Sequence, residues 1–199
     1  RRGKYVLMHL DSGEVLLLHL GMSGSVRIYQ QKPDLGQHDH FMLEIAPQIG
    51  SESRSYVVMN DPRRFGCIDL FAESAMLKHK LLVGMGPEPL SNTFSAARLE
   101  AAFKGRSVPV KNALLNQALI AGIGNIYANE ALFLSGISPR RKAGTITGGR
   151  ADRLATAIVK TLRAAVEDGG TSLRDHIQPG GEIGYFVQRL AVYGKTGKP

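Results

Sequence analysis

Lys4-Tyr5-Val6-Leu7-Met8-His9-Leu10-Asp11-Ser12-Gly13-Glu14-Val15-Leu16-Leu17-Leu18-His19-Leu20 decides the class of the fold. Two apolar-rich runs flank Asp11-Ser12-Gly13. A short Gly-containing turn between two such runs is a hairpin signal, because glycine enters the turn conformations that other residues resist. Strands are therefore expected over 4–10 and 14–20. Further short runs follow at Ser25–Tyr29, His40–Ile45, Ser55–Met59 and Cys67–Phe71, separated by Gly, Pro, Asp and Ser clusters. Short strands at this spacing predict a β-sandwich or barrel.

The texture changes after Phe71. Gly84, Gly86, Pro87 and Pro89 crowd one stretch and break regular structure. Beyond it the pattern is helical. Ser95–Phe103 is short and Ala-rich. Pro109 opens a helix to about Gln117, since its missing N–H has no partner in a first turn anyway. Asn125 is expected to cap a helix over Ile126–Leu134, with Gly136 past its end. Leu154, Ile158, Leu162 and Val166 recur inside a long helix ending before Gly169-Gly170. Ile183–Tyr193 is open between strand and short helix. The expected class is α+β: a β-sandwich over 1–72, a linker over 73–91 and a helical domain over 92–199.

The 199 residues are 43% hydrophobic and 21% charged, which excludes a disordered composition. No apolar run is long enough to cross a bilayer, and no signal-peptide pattern opens the chain. No membrane association and a cytoplasmic location are expected. The formal net charge of +8 suits a polyanionic partner. Cys67 is the only cysteine, so the chain makes no internal disulfide and no cysteine-based metal site. The chain opens on Arg1-Arg2-Gly3-Lys4 without Met and closes on Gly197-Lys198-Pro199. Residues needed for function are expected outside it.

Candidate functional residues each admit two readings. Met22 and Phe65 lie in Gly-flanked tips, where an apolar side chain covers a core or serves as a wedge between base pairs. Arg63 can offer two parallel donors to a base edge. Asn125 is a helix cap, or a helix N-terminus that takes a phosphate. Lys4 belongs to a solvated basic cluster, or holds a phosphate or moves a proton. Arg106, in the Lys104-Gly105-Arg106 loop, reads by itself as a solubilising surface charge. His38 and His40 sit two apart, but no third ligand accompanies them and zinc needs three or four. Glu130 is either a buried carboxylate or an ordinary helix charge.

Five segments carry a resemblance. They are His19-Leu20-Gly21-Met22-Ser23-Gly24-Ser25, Asn60-Asp61-Pro62-Arg63-Arg64-Phe65-Gly66, Gly86-Pro87-Glu88-Pro89-Leu90, Gly122-Ile123-Gly124-Asn125-Ile126-Tyr127, and Gly184-Tyr185-Phe186 with Val192-Tyr193-Gly194. In this order they resemble the formamidopyrimidine-DNA glycosylase family, from Arg2 to Pro199. The resemblance implies a helix–two-turn–helix element and a monomer that binds double-stranded DNA with a damaged base. It implies excision of oxidised purines (8-oxoguanine, formamidopyrimidines) and β,δ-elimination at the abasic site. Met22, Arg63 and Phe65 would fill the gap left by the flipped nucleotide, with Arg63 facing the orphaned cytosine. Lys4 would act in phosphate contact and elimination, and His38, Arg106 and Asn125 would contact DNA.

The resemblance further implies an N-terminal proline nucleophile and a four-cysteine Zn2+ finger. Neither occurs in these residues, so the chain is expected to be a central fragment, inactive by itself. Two alternatives stay open: the related endonuclease VIII type, which acts on oxidised pyrimidines, and a non-catalytic DNA-binding relative. RNA binding is disfavoured, since no stacked-aromatic or KH-type pattern is present.

Overall fold

The computed structural model describes residues 1–47, 53–171, 185–195 and 197. Its contacts divide the chain into two compact units: Tyr5–Glu73 with 169–187, and Arg1–Lys4 with Ser74–Asp168 and 188–199. The expected division at 1–72, 73–91 and 92–199 differs from this at both ends. The opening four residues join the helical unit, and the described residues Gly169–Thr171 and Tyr185–Val187 join the strand unit.

The strand unit holds six strands: β1 (Tyr5–His9), β2 (Glu14–His19), β3 (Ser25–Tyr29), β4 (Asp39–Ile45), β5 (Ser55–Asn60) and β6 (Cys67–Ala72). They form two antiparallel three-stranded sheets, in the orders β1-β2-β6 and β3-β5-β4. The expected hairpin is present. Leu10 N–H donates to the Glu14 carbonyl at 2.9 Å, and Gly13 turns the chain at φ 80°. The central strands are buried at consecutive positions, Val15–Leu18 in β2 and Tyr56–Met59 in β5. Continuous burial means both faces are covered, which explains why these runs are apolar throughout rather than alternating. Leu16, Leu18 and Met59 join the sheets into one core, flanked by Val26, Phe41, Leu43 and Ile68. A register shift between Asp39 and Phe41 leaves His40 out of the β4–β5 ladder, as in a bulge.

The helical unit holds α1 (Ala96–Phe103), α2 (Val110–Leu115), α3 (Asn125–Leu134) and α4 (Gly149–Glu167). Leu99 and Phe103 of α1, Leu114 of α2, Leu132 of α3 and Leu154 and Ile158 of α4 share one core. Ser95 caps α1 by accepting from Arg98 N–H at 3.2 Å. Val166 is 69% exposed, against the expected stripe, while Thr161 and Ala165 are buried. A step of four residues overshoots the helical repeat by about 40°, so three steps carry Val166 roughly a third of a turn from Leu154. Within the open stretch Ile183–Tyr193, Phe186–Arg189 is a 3₁₀ turn, and residues 183–184 lie outside the described residues.

Candidate nucleic-acid interface

In the strand unit, two tips come together by backbone. The first is the turn after β2 and the second joins β5 to β6. A Cβ on Gly21 would lie 2.5 Å from the Phe65 carbonyl carbon, and one on Gly66 would lie 2.7 Å from the His19 carbonyl oxygen. The two glycines allow the tips to touch. Gly21 also takes φ 63°, which a side chain would resist. At the ends of these tips Met22 is 68% exposed and Phe65 is 57% exposed. Neither therefore covers the core. The Arg63 guanidinium carbon stands 4.8 Å from the Phe65 ring centroid, in cation–π range. Arg64 takes φ 56°, the one positive φ among described non-glycine residues. Its N–H closes the turn on the Asp61 carbonyl at 3.2 Å.

Beneath the tips lies Asp61, 2% exposed. Ser23 Oγ donates to Asp61 Oδ1 at 2.7 Å, and Gly66 N–H donates to Oδ2 at 2.7 Å. Burial pushes the carboxyl up. The hydrogen bonds from Ser23 and from the Gly66, Arg63 and Arg64 N–H groups outweigh it, so its pKa lies below the usual carboxylate value. His40, displaced from the ladder, places Nε2 3.0 Å from the Asp61 carbonyl oxygen. The His38 carbonyl accepts from Asp61 N–H at 2.9 Å, while the His38 side chain is exposed.

In the helical unit, the expected basic cluster at the chain start is sorted by Glu88. Arg2 pairs with Glu88 at 3.0 Å and donates to the Met85 and Gly86 carbonyls. Arg1 pairs with the same carboxylate at 3.4 Å. Lys4 has no ion-pair partner among the described residues. Its amine lies 3.4 Å from where a Cβ on Gly124 would stand. Lys4 is exposed by surface area, yet the surrounding protein removes enough hydration to lower its amine pKa.

Gly124 is the N-cap of α3, with extended φ −111° and ψ 178°. This corrects the expectation that Asn125 caps the helix. Asn125 is the first helical residue, and its exposed amide is not spent on the cap. The preceding turn is held by Gln117. Gln117 Nε2 donates to the Leu115 and Ile123 carbonyls at 3.0 Å, and its Oε1 accepts from Gly122 N–H at 2.8 Å. The turn also docks on Gly86-Pro87, since Ala121 N–H donates to the Pro87 carbonyl at 3.0 Å. The α3 N-terminus and the Lys4 amine thus lie within one small region suited to a phosphate, with Asn125 as the first residue of the helix.

Arg106 is exposed, and its Nε donates to the Ala102 carbonyl at 2.8 Å at the end of α1. That bond uses Nε and leaves the two terminal guanidinium nitrogens out of it. Glu130 is the residue sequence reasoning left undecided. It is 6% exposed and accepts from the N–H groups of Ala191, Val192 and Tyr193 at 2.7, 3.0 and 3.0 Å. No signal within its own helix announces this, because the donors lie about sixty residues away. Among the described residues no group of His, Cys, Asp and Glu could hold a metal. A thiolate zinc site does not fit this chain, whose one cysteine is Cys67.

Residues 1–68 match the model of the formamidopyrimidine-DNA glycosylase N-terminal domain, and residues 85–176 match that of the formamidopyrimidine-DNA glycosylase H2TH domain. The formamidopyrimidine-DNA glycosylase of a Ruegeria species is 47% identical over 207 residues, spanning 100% of this chain and 71% of the relative. The chain belongs to the formamidopyrimidine-DNA glycosylase family. The family member from Acidiphilium cryptum is 48% identical, spanning 100% of the chain and 69% of the relative. Among solved structures, the MutM (Fpg) protein of Thermus thermophilus superposes with a TM-score of 0.84 at 38% identity, covering 100% of this chain and 71% of that one. The Lactococcus lactis Fpg in complex with abasic-site DNA gives a TM-score of 0.87 at 30% identity, covering 99% and 70%. The α+β architecture is that of the glycosylase family, and no helix of the described residues is long and apolar enough to cross a membrane.

Proposed function

We propose that these residues belong to a base-excision-repair glycosylase that removes oxidised purines from double-stranded DNA and cleaves the resulting abasic strand by β,δ-elimination. The observation that carries this reading is the pair of exposed apolar tips, Met22 and Phe65, with Arg63 stacked on Phe65. A base undergoing chemistry must leave the duplex, at a cost of a few kcal/mol in lost stacking and pairing. Met22 and Phe65 fill the gap and recover part of that cost. Arg63 turns its donors to the edge of the orphaned cytosine, and its stacking on Phe65 holds the guanidinium plane in place.

Lys4 and Asn125 hold a phosphate beside the lesion against the α3 N-terminus, and His38 and Arg106 hold further phosphates. Lys4 is also the residue of this chain assigned to the elimination, through an amine whose pKa burial has already lowered. The attack on C1′ is assigned to an N-terminal proline amine of the parent protein, outside these 199 residues. The amine bonds to C1′ as the glycosidic bond breaks toward the base; the C1′–O4′ bond then opens, with a proton going to O4′, to give the Schiff base, loss of a C2′ proton expels the 3′ phosphate, and loss of a C4′ proton expels the 5′ phosphate. The zinc finger of the parent is likewise placed outside the chain. The 199-residue chain alone then shows no enzyme-like turnover.

The test is incision by the full-length parent protein of duplexes carrying 8-oxoguanine opposite cytosine or thymine glycol opposite adenine. Preferential incision of the first supports the reading. A preference for thymine glycol replaces the purine assignment with the pyrimidine-specific type.

A further inference from the structure

Two loops that fill one gap must keep a fixed spacing, or each insertion has to order them anew. The backbone approach of Gly21 to Phe65 brings the tips together but does not by itself hold them there. The link is polar. The Ser23 hydroxyl, one residue after Met22, donates to Asp61 Oδ1 and accepts from Arg63 N–H at 3.3 Å. The second carboxylate oxygen accepts from Gly66 N–H, one residue after Phe65. One buried carboxylate therefore holds the Met22 tip by a side chain and the Phe65 tip by its backbone. The Asp61 main chain is tied as well: its N–H donates to the His38 carbonyl, and its carbonyl accepts from Arg64 and faces His40 Nε2.

We infer that Asp61, through Ser23, is a positioning residue that locks Met22, Arg63 and Phe65 into a single preformed wedge, and so sets how well damaged DNA is told from intact DNA. This rests on the reading that the tips enter the duplex. Asp61 sits under the tips and touches no DNA. Its contribution is preorganisation: tips fixed in the free protein lose little conformational freedom on insertion. Bonds to a buried carboxylate suit this task because they are short, strong and costly to leave unmade.

The experiment uses the full-length protein and two duplexes, one with a stable abasic-site analogue opposite cytosine and one undamaged. It measures the ratio of the two affinities at fixed salt and the fluorescence rise of 2-aminopurine placed beside the lesion, which reports insertion. Ser23→Ala and Asp61→Asn are each expected to lower the affinity ratio about tenfold, the scale of one hydrogen bond to a charged group. The double variant should be no worse than the poorer single, because both changes break one link. Affinity for undamaged DNA should stay within about twofold, since phosphate contacts supply it.

Phe65→Ala separates the two ideas. If Phe65→Ala leaves the ratio and the fluorescence rise unchanged, the insertion reading itself fails. If Phe65→Ala lowers both while Ser23→Ala and Asp61→Asn lower only the melting temperature, the tips act but Asp61 does not position them. Should Asp61→Asn fail to fold, Ser23→Ala decides alone, because it keeps the carboxylate and its bond to Gly66.

Discussion

The Arg63 guanidinium lies over the Phe65 ring, 4.8 Å from its centroid, and both side chains are exposed. An exposed phenylalanine costs solubility and adds nothing to a core. Its ring face instead fixes the arginine plane, worth about 0.5–1 kcal/mol at an exposed site. Arg63→Lys is expected to keep the charge yet lose much of the preference for cytosine opposite the lesion, because lysine offers no planar fork. Incision rates against the four opposite bases check this. An unchanged order of preference would remove Arg63 from base readout.

Gly21 is the second position where a small change has a clear consequence. Gly21→Ala would set a Cβ 2.5 Å from the Phe65 carbonyl carbon at φ 63°. The substitution combines backbone strain with a clash and is expected to cost about 2–4 kcal/mol, read as a lower urea midpoint. Gly13→Ala, also at positive φ but with nothing within 4 Å, should cost only about 1 kcal/mol.

The fold was largely legible because its signals are local. The Leu10–Glu14 turn and the unbroken apolar runs of β2 and β5 declare themselves within a few residues. The helix starts were less so. Residue type marks Asn125 as the cap, but Gly124 takes the extended cap geometry and leaves Asn125 inside the helix. Arg1 and Arg2 read as free charge because Glu88 is more than eighty residues distant. Asp61, Ser23 and Glu130 were unreadable as anchors for the same reason. The Ser23–Asp61 link spans 38 positions and the donors to Glu130 come from residues 191–193, so neither pairing is visible in the local sequence. On their own physics Met22 and Phe65 read first as core cover, and their exposure corrects that reading.

The Glu130 carboxylate holds residues 191–193 through three N–H groups. Glu130→Ala would leave those donors without their acceptor. A loss of about 3–5 kcal/mol is expected, the scale for breaking a buried charged network. Glu130→Gln should lose less, since one oxygen still accepts. Urea unfolding of the two variants, with limited proteolysis near residue 190, measures the difference.

Lys4 gives a pH dependence with a definite sign. Its amine pKa is lowered by desolvation, so the neutral form appears at a lower pH than for a free lysine. Phosphate binding needs the charged form. The Lys4 share of DNA affinity should therefore fade as pH rises through that lowered pKa, below 10.5. Across that window the unfolded chain binds more protons at this residue, so the folding term from Lys4 rises with pH while the binding term falls. Lys4→Ala should reduce the slope of log affinity against log salt by about 1 and flatten the pH dependence.

Asp61 has the opposite sign. Its folded pKa is below the ordinary 3.8, so its stabilisation is complete above the unfolded value and is lost as pH falls through the folded one. Wild type should lose stability steeply below about pH 4, and Asp61→Asn should show a shallower loss there. Melting temperatures between roughly pH 2.5 and 6 resolve the two curves.

Covalent chemistry on an oxidised purine leaves an imine that borohydride reduces to a permanent protein–DNA bond. The full-length parent protein is mixed with a duplex carrying 8-oxoguanine opposite cytosine, and the reductant is added during turnover. A stable protein–DNA adduct of one protein per strand is expected, weakened by Phe65→Ala and by Lys4→Ala. Salt-sensitive duplex binding with no adduct would overturn the purine assignment, and would leave either the pyrimidine-specific type or a DNA-binding protein without glycosylase chemistry.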